Sequence, residues 1–219
     1  MQHTHKAIIR IRLLILCSCL VMGFHGRGQE LSETRALPAF QELHLNGSLL
    51  LILSKGRAYS LKISGSDTSE FSRVRSEVSH GILHIWYTNN RFFAKNRNLR
   101  VFVTAPSLDR VDLTGSGMVE SRSVWTSDSL SLKLNGSGQI VLDGHSDLIQ
   151  ADLEGSGRMR LRTTCRRLKA RLMGSGNLTL SGTSGNAALE VDGSGLMDAR
   201  TLKSRHETRR ILGSGMILN

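Results

Sequence analysis

The chain has 219 residues, with 29 Lys and Arg against 18 Asp and Glu, a formal charge of +11. That length is enough for one domain with a continuous core. Only 5% of the residues are aromatic and 2 are Pro, against 22 Gly, which excludes an aromatic-lined nucleic-acid platform and suits short strands with tight corners.

Residues 1–28 read as an export signal. Lys6, Arg10 and Arg12 supply positive charge, and an apolar run from Leu13 to Phe24 follows. Gly26 and Gly28 place small residues at the two cleavage-pocket positions before Gln29. The run is short for a membrane span. A lipoprotein reading stands second, with Leu16-Cys17-Ser18-Cys19 as a loose lipidation box ending at Cys19. Cleavage near Gly28 leaves Cys165 alone, so the mature chain can form neither an internal disulfide nor a cysteine-based zinc cluster.

Residues 29–37 form a polar lead-in, and 38–219 a single domain with irregular coils over 38–106 and regular ones over 107–219. Leu43 and Leu45, then Leu49, Leu51 and Leu53, alternate as strands around Asn46-Gly47-Ser48. Tyr59 to Ser64 is a further strand, and Ser66 to Arg75 a helical turn or loop. Val74–Val78 and Ile82–Trp86 flank His80-Gly81, a hairpin or corner signal. Thr88 to Asn98 reads as a basic loop, and Leu99 to Thr104 as a strand closed by Ala105-Pro106.

From there Gly-Ser-Gly recurs, starting at Gly115, Gly136, Gly155, Gly174, Gly193 and Gly213. The intervals, by subtraction, are 21, 19, 19, 19 and 20 residues. A period near 20 is the length of one coil in a stacked architecture. Two residues before each first glycine stand Leu113, Leu134, Leu153, Leu172, Val191 and Ile211. Four residues after it stand Val119, Ile140, Met159, Leu178, Met197 and Ile217. Apolar positions two apart predict strands with one buried face. Four before it, Val111, Leu132, Ala151, Ala170 and Leu189 continue the pattern, and Arg209 breaks it.

Between these columns lies a charged one: Asp112, Lys133, Asp152, Arg171, Glu190 and Arg210 alternate in sign. Stacked parallel strands would set each charge between two of opposite sign, fixing register more than adding stability. The glycines fit a tight corner or a close approach of coils. The serines point outward if the strand phase continues, or turn inward as a hydroxyl ladder. Six copies without a positioned base argue against a nucleophile.

Other chemistry is sparse. His44, His80, His84, His145 and His206 are scattered; His80 and His84 are four apart but on a strand pattern broken by Gly81, and no metal or cofactor is expected. Asp112, Asp152 and Glu190 are assigned to charge pairing, so no catalytic carboxylate pair stands out and the chain is read as a non-enzyme. The strongest charge feature is Arg158, Arg160, Arg162, Arg166, Arg167, Lys169 and Arg171, with no acid among them. It is a candidate basic binding face for an anionic glycan or lipopolysaccharide, set against a merely solvated surface. Export and the lack of a recognised module argue against nucleic acid. The terminal coil ending in Met216-Ile217-Leu218 offers open strand edges, so self-association through it is expected.

Phe40–Ser48, Val78–Ile85, Val101–Pro106 and the Leu113–Gly117 repeat together resemble the auto-transporter adhesin "head GIN domain" family. The resemblance covers residues 38–219 and implies an all-β, right-handed parallel β-helix-like solenoid, in the periplasm, outer membrane or outside the cell. It carries over no catalytic residues. The reading is therefore an exported, non-enzymatic binding or adhesion module. A structural or oligomer-forming envelope component is the alternative, and a polysaccharide-active enzyme the third.

Overall fold

The computed structural model describes residues 30–88 and 99–219. The leader, Cys17, Cys19 and most of the basic loop expected at Thr88–Asn98 lie outside the described residues. The strands, in chain order, are β1 (Leu31–Ala36), β2 (Glu42–Gly47), β3 (Leu50–Lys55), β4 (Ser60–Gly65), β5 (Val74–Ser79), β6 (Ile82–Tyr87), β7 (Arg100–Ala105), β8 (Arg110–Gly115), β9 (Met118–Gly136), β10 (Gln139–Gly155), β11 (Arg158–Gly174), β12 (Asn177–Gly193), β13 (Leu196–Gly213) and β14 (Met216–Leu218). They form a β-solenoid of about six turns.

Each regular coil has two straight faces. On β11, Met159, Leu161 and Thr163 are buried, then Leu168, Ala170 and Leu172. The buried positions change from odd to even numbers, and the adjacent exposed pair Arg166 and Arg167 marks the bend. On β10 the same switch separates Ile140, Leu142 and Gly144 from Ile149, Ala151 and Leu153. We call the faces before and after this bend the leading and trailing faces. The apolar columns read from the sequence are the inward rows of both. Burying one such aliphatic side chain contributes about 1.5–3 kcal/mol relative to leaving it in water.

Gly-Ser-Gly forms the second corner. The first glycine has positive φ in every copy, from 96° at Gly213 to 125° at Gly136. The second glycine is where coils touch: a Cβ at Gly157 would lie 2.7 Å from the Gly138 carbonyl oxygen and 2.7 Å from Leu134 Cδ2. The backbone bonds coil to coil through this corner, with Ser156 N donating to Gly136 O (3.1 Å) and Arg158 N to Gly138 O (2.9 Å). The serines point outward and are exposed. The inward hydroxyls occur at the other bend, where Ser127, Ser146, Cys165, Ser184 and Ser204 are stacked neighbours. Ser127 and Ser146 hydroxyls are 3.4 Å apart, and Cys165 Sγ lies 3.6 Å from Ser184 Oγ.

The N-terminal coils follow a different order in space than in sequence. β2 and β3 form a coil around Gly47, whose φ of 120° matches the later first glycines. β6 pairs with β2, and β7 with β3, on one side of that coil. β8 pairs with β2, and β9 with β3, on the other. The first coil in sequence is thus inserted between the second and the third. Aliphatic matching fits this order, since Leu43 faces both Leu83 and Val111.

Antiparallel strands close this end. β1 pairs with β4, β4 with β7, and β5 with β6. The polar lead-in is therefore itself largely a strand, its Leu31, Glu33 and Arg35 half-buried in alternation. Arg35 donates to the carbonyls of Val74 (2.8 Å) and Phe71 (3.1 Å), covering part of the β5 edge. His80 and Gly81 both have positive φ, 52° and 78°, as a two-residue hairpin turn between right-twisted strands needs.

Candidate functional site

The alternating charges stand in the predicted column on the trailing face. Asp112, Lys133, Asp152, Arg171, Glu190 and Arg210 are each aligned with the next across β8–β13. The column continues beyond the sequence reading, through His44 and His84 to Glu77. Contact between partners is less regular than alignment. Among the described residues no two adjacent members of the six come within 4 Å as an ion pair; Lys133 instead reaches Glu154 diagonally at 3.2 Å, and Arg110 reaches Asp112 along its own strand at 2.9 Å.

Asp152 lies between Lys133 and Arg171. Partial burial raises its pKa above the ordinary carboxylate value, and these two cations only partly offset the effect. A raised folded-state pKa means that the folded chain holds the proton more tightly than the unfolded one. This group's contribution to stability therefore falls as pH rises from the ordinary carboxylate range through the elevated value. Asp152→Asn is expected to flatten that decline without lowering stability at neutral pH. Urea titrations at a series of mildly acidic pH values check it, and a larger wild-type advantage at higher pH would refute it.

The basic stretch does not form a single face. Arg158, Arg160 and Arg162 point outward from the leading face of β11, Arg166 and Arg167 occupy the bend, and Lys169 and Arg171 lie on the trailing face. The reason is geometric: a run of 14 residues, from Arg158 to Arg171, is most of one coil and wraps around it. Two of the seven are tied to carboxylates of the preceding coil, Arg162 to Asp143 and Arg166 to Asp147. Among the described residues, no carboxylate oxygen lies within 4 Å of Arg158, Arg160, Arg167, Lys169 or Arg171.

Two surfaces result. On the trailing face, Lys169, Arg171 and Arg210 share a shallow depression of about 370 Å³ with Asp152, Glu190 and Thr208. Its charges are mixed. On the leading face, Arg158, Arg160 and Arg162 form a row along the strand, with side chains roughly 6.6 Å apart at alternate positions. The next strand sets Asn177, Thr179 and Ser181 directly beside them. A row of guanidinium donors thus borders a row of neutral amide and hydroxyl groups.

The scattered histidines show one local grouping that spacing alone missed. His44 and His84 meet edge to face with ring centroids 5.2 Å apart, because β2 and β6 are spatial neighbours. His44 Nε2 is 3.5 Å from Asp112 and 3.6 Å from Glu42. Among the described residues, no group of three or more His, Cys, Asp and Glu is arranged to hold a metal ion. No helix among them is long and apolar enough to cross a membrane.

A family model described as "Putative auto-transporter adhesin, head GIN domain" matches residues 39–218. The chain belongs to this family. Three crystal structures are similar to this chain in fold. A "putative lipid binding protein" from Parabacteroides distasonis has 18% identity and a TM-score of 0.74, over 88% of this chain and 97% of that one. A "putative adhesin" from Bacteroides fragilis has 16% identity and a TM-score of 0.67, over 90% and 100%. One from Parabacteroides merdae has 14% identity and a TM-score of 0.58, over 88% and 96%. At these identities the likeness is one of fold. No functionally curated protein matches the sequence.

Proposed function

We propose that the protein is an exported, non-enzymatic binding module of the cell envelope. Its ligand is an anionic glycan, lying along the leading face of β11. The adhesin description of its family and the apolar leader at residues 13–24 support the general reading. The observation that carries the finer one is the Arg158–Arg160–Arg162 row beside Asn177, Thr179 and Ser181. Guanidinium groups grip carboxylate, sulfate or phosphate through paired donors. Neutral amides and hydroxyls alongside can bond to sugar hydroxyls without repelling the anion. Each contact is weak in water, so an extended polymer engaging several of them gains affinity that a monosaccharide does not.

Acidic polysaccharides and lipopolysaccharide phosphates present the same chemistry, and separate binding arms distinguish them. Arg158→Ser with Arg160→Ser is expected to weaken binding to the recognised polymer about tenfold or more. Thermal stability should hold, because both side chains are exposed. Wild-type affinity should fall with added salt. Unchanged affinity in the double variant, or equal binding to a neutral polysaccharide, would refute the assignment. Mass measurement of the mature N-terminus tests export, with cleavage before Gln29 expected.

A further inference from the structure

The two ends of the solenoid are finished differently. At the N-terminal end the stack finishes in antiparallel strands, β1 beside β4 and β5 beside β6, with Arg35 bonded to part of the β5 edge. At the other end, β14 pairs only with residues 196–198 of β13. Among the described residues, the trailing-face part of β13 has a partner on one side alone, strand β12. Among the described residues, three of the four exposed large apolar side chains, Ile211, Leu212 and Met216, lie at this end.

The inward row of this last trailing face is unlike every other. Glu207 and Arg209 stand where β12 has Ala187 and Leu189. They bond to each other at 2.5 Å, and Ser204 Oγ donates to Glu207 at 2.9 Å. Inward charges of this kind blunt an edge against indiscriminate pairing. They do not block every pairing, because one acid and one base two residues apart are self-complementary under a two-fold axis midway between them.

We propose that this edge is the interface between two copies of the chain, joined as antiparallel β13 strands with the two-fold axis at Thr208. An axis normal to the sheet keeps inward residues inward in both copies. Glu207 then faces Arg209 of the second copy, and Arg209 faces its Glu207, so two reciprocal ion pairs lie between the two cores. Thr208 faces Thr208 on the outer surface. The neighbouring registers are worse: an axis at Arg209 or Arg210 sets two guanidinium groups against each other. A two-fold joint uses the same β13 edge of both copies, so the assembly closes at two copies rather than growing as a filament. This inference does not depend on the glycan reading.

Sedimentation velocity over a concentration series tests it. The wild-type chain is expected to show a reversible monomer–dimer equilibrium. Glu207→Arg places four positive charges at the junction and should raise the dimer dissociation constant at least tenfold; Arg209→Glu should do the same with the opposite sign. The double variant Glu207→Arg with Arg209→Glu restores both reciprocal pairs and should recover the dimer. Circular dichroism establishes that each variant is folded. The recovery keeps the test decisive even if one single variant unfolds. With Cys17, Cys19 and Cys165 replaced by Ser, Thr208→Cys should oxidise to a disulfide-linked dimer, since residues facing each other in an antiparallel pair have Cα atoms about 4.5–5.5 Å apart. A wild-type monomer at high concentration, open-ended polymers, or a double variant that stays monomeric while folded would each overturn the proposal.

Discussion

Gly155→Val is expected to cost more than about 3 kcal/mol or to prevent the solenoid from folding. Two independent penalties meet at this residue. Its φ is +112°, a conformation that a β-branched side chain rarely adopts. A Cβ would also lie 2.6 Å from the Gly136 carbonyl oxygen and 3.3 Å from the Gly136 carbonyl carbon and amide nitrogen. All of these are backbone atoms, so no rotamer change relieves the collision. Moving Gly136 aside would press on the next coil, because a Cβ at Gly136 would itself sit 2.5 Å from Gly115 O. Gly81→Ala separates the two effects. Gly81 has φ of +78°, but no described atom lies within 4 Å of its would-be Cβ. Only backbone strain operates there, and the expected cost is about 1 kcal/mol. Urea denaturation followed by circular dichroism compares the two. A Gly155→Val penalty no larger than that of Gly81→Ala would show that the close stacking of corners is not what selects glycine.

The regular coils were legible because their constraint repeats. Leu153 and Leu172, or Ile140 and Met159, occupy equivalent positions one period apart and are stacked neighbours in the fold. The alternation of Asp152, Arg171 and Glu190 was readable for the same reason. The N-terminal order was not, because adjacency of β2 to both β6 and β8 is decided by three-dimensional insertion rather than by any local pattern. The pairing of His44 with His84 followed from that insertion and stayed hidden with it. The basic stretch was visible as composition, but its division between faces depended on where the chain bends. The odd-to-even change in buried positions between Thr163 and Leu168 needs the bend residues to be known. The Arg209 break in the inward column was visible; that Glu207 turns inward beside it and pairs with it was not.

These differences bear on where function resides. Inward rows repeat and are interchangeable between coils, so they specify the scaffold. Outward rows differ from strand to strand: Gln139, Arg158 and Asn177 are successive members of one column. Cations concentrate on one strand of the leading face, and a single inward ion pair occurs on the last coil. Departures from the repeat, rather than the repeat itself, mark the two surfaces to which we assign partners.

Another departure lies inside the core, and its removal should be nearly as damaging as a blocked corner. Trp125→Ala is expected to lower stability by about 3–5 kcal/mol. The coil that contains it is the longest, at 21 residues from Gly115 to Gly136. The extra length appears as a bulge: Glu120 faces Val141, but Val124 faces Asp143, leaving Ser121, Arg122 and Ser123 opposite Leu142 alone. The bulge re-aims the chain, so Val124 is 51% exposed and Trp125 is fully buried. Trp125 Nε1 donates to Ser121 Oγ at 2.7 Å, which satisfies its one polar atom within the bulge. Its neighbour on the next strand is Gly144, the smallest residue possible, where a Cβ would lie 2.7 Å from Leu130 Cδ2. Tryptophan and glycine thus divide one layer of the core between them. Trp125→Phe keeps much of the apolar volume and should cost distinctly less than the alanine variant, though it leaves Ser121 without its indole donor. Gly144→Ala should also destabilise, because Leu130 must move. Chemical denaturation of the three variants gives the order Trp125→Ala, then the two milder changes. An alanine penalty below about 1 kcal/mol would mean that neighbouring coils collapse into the space, and that the bulge does not hold Trp125 as a fixed part of the core.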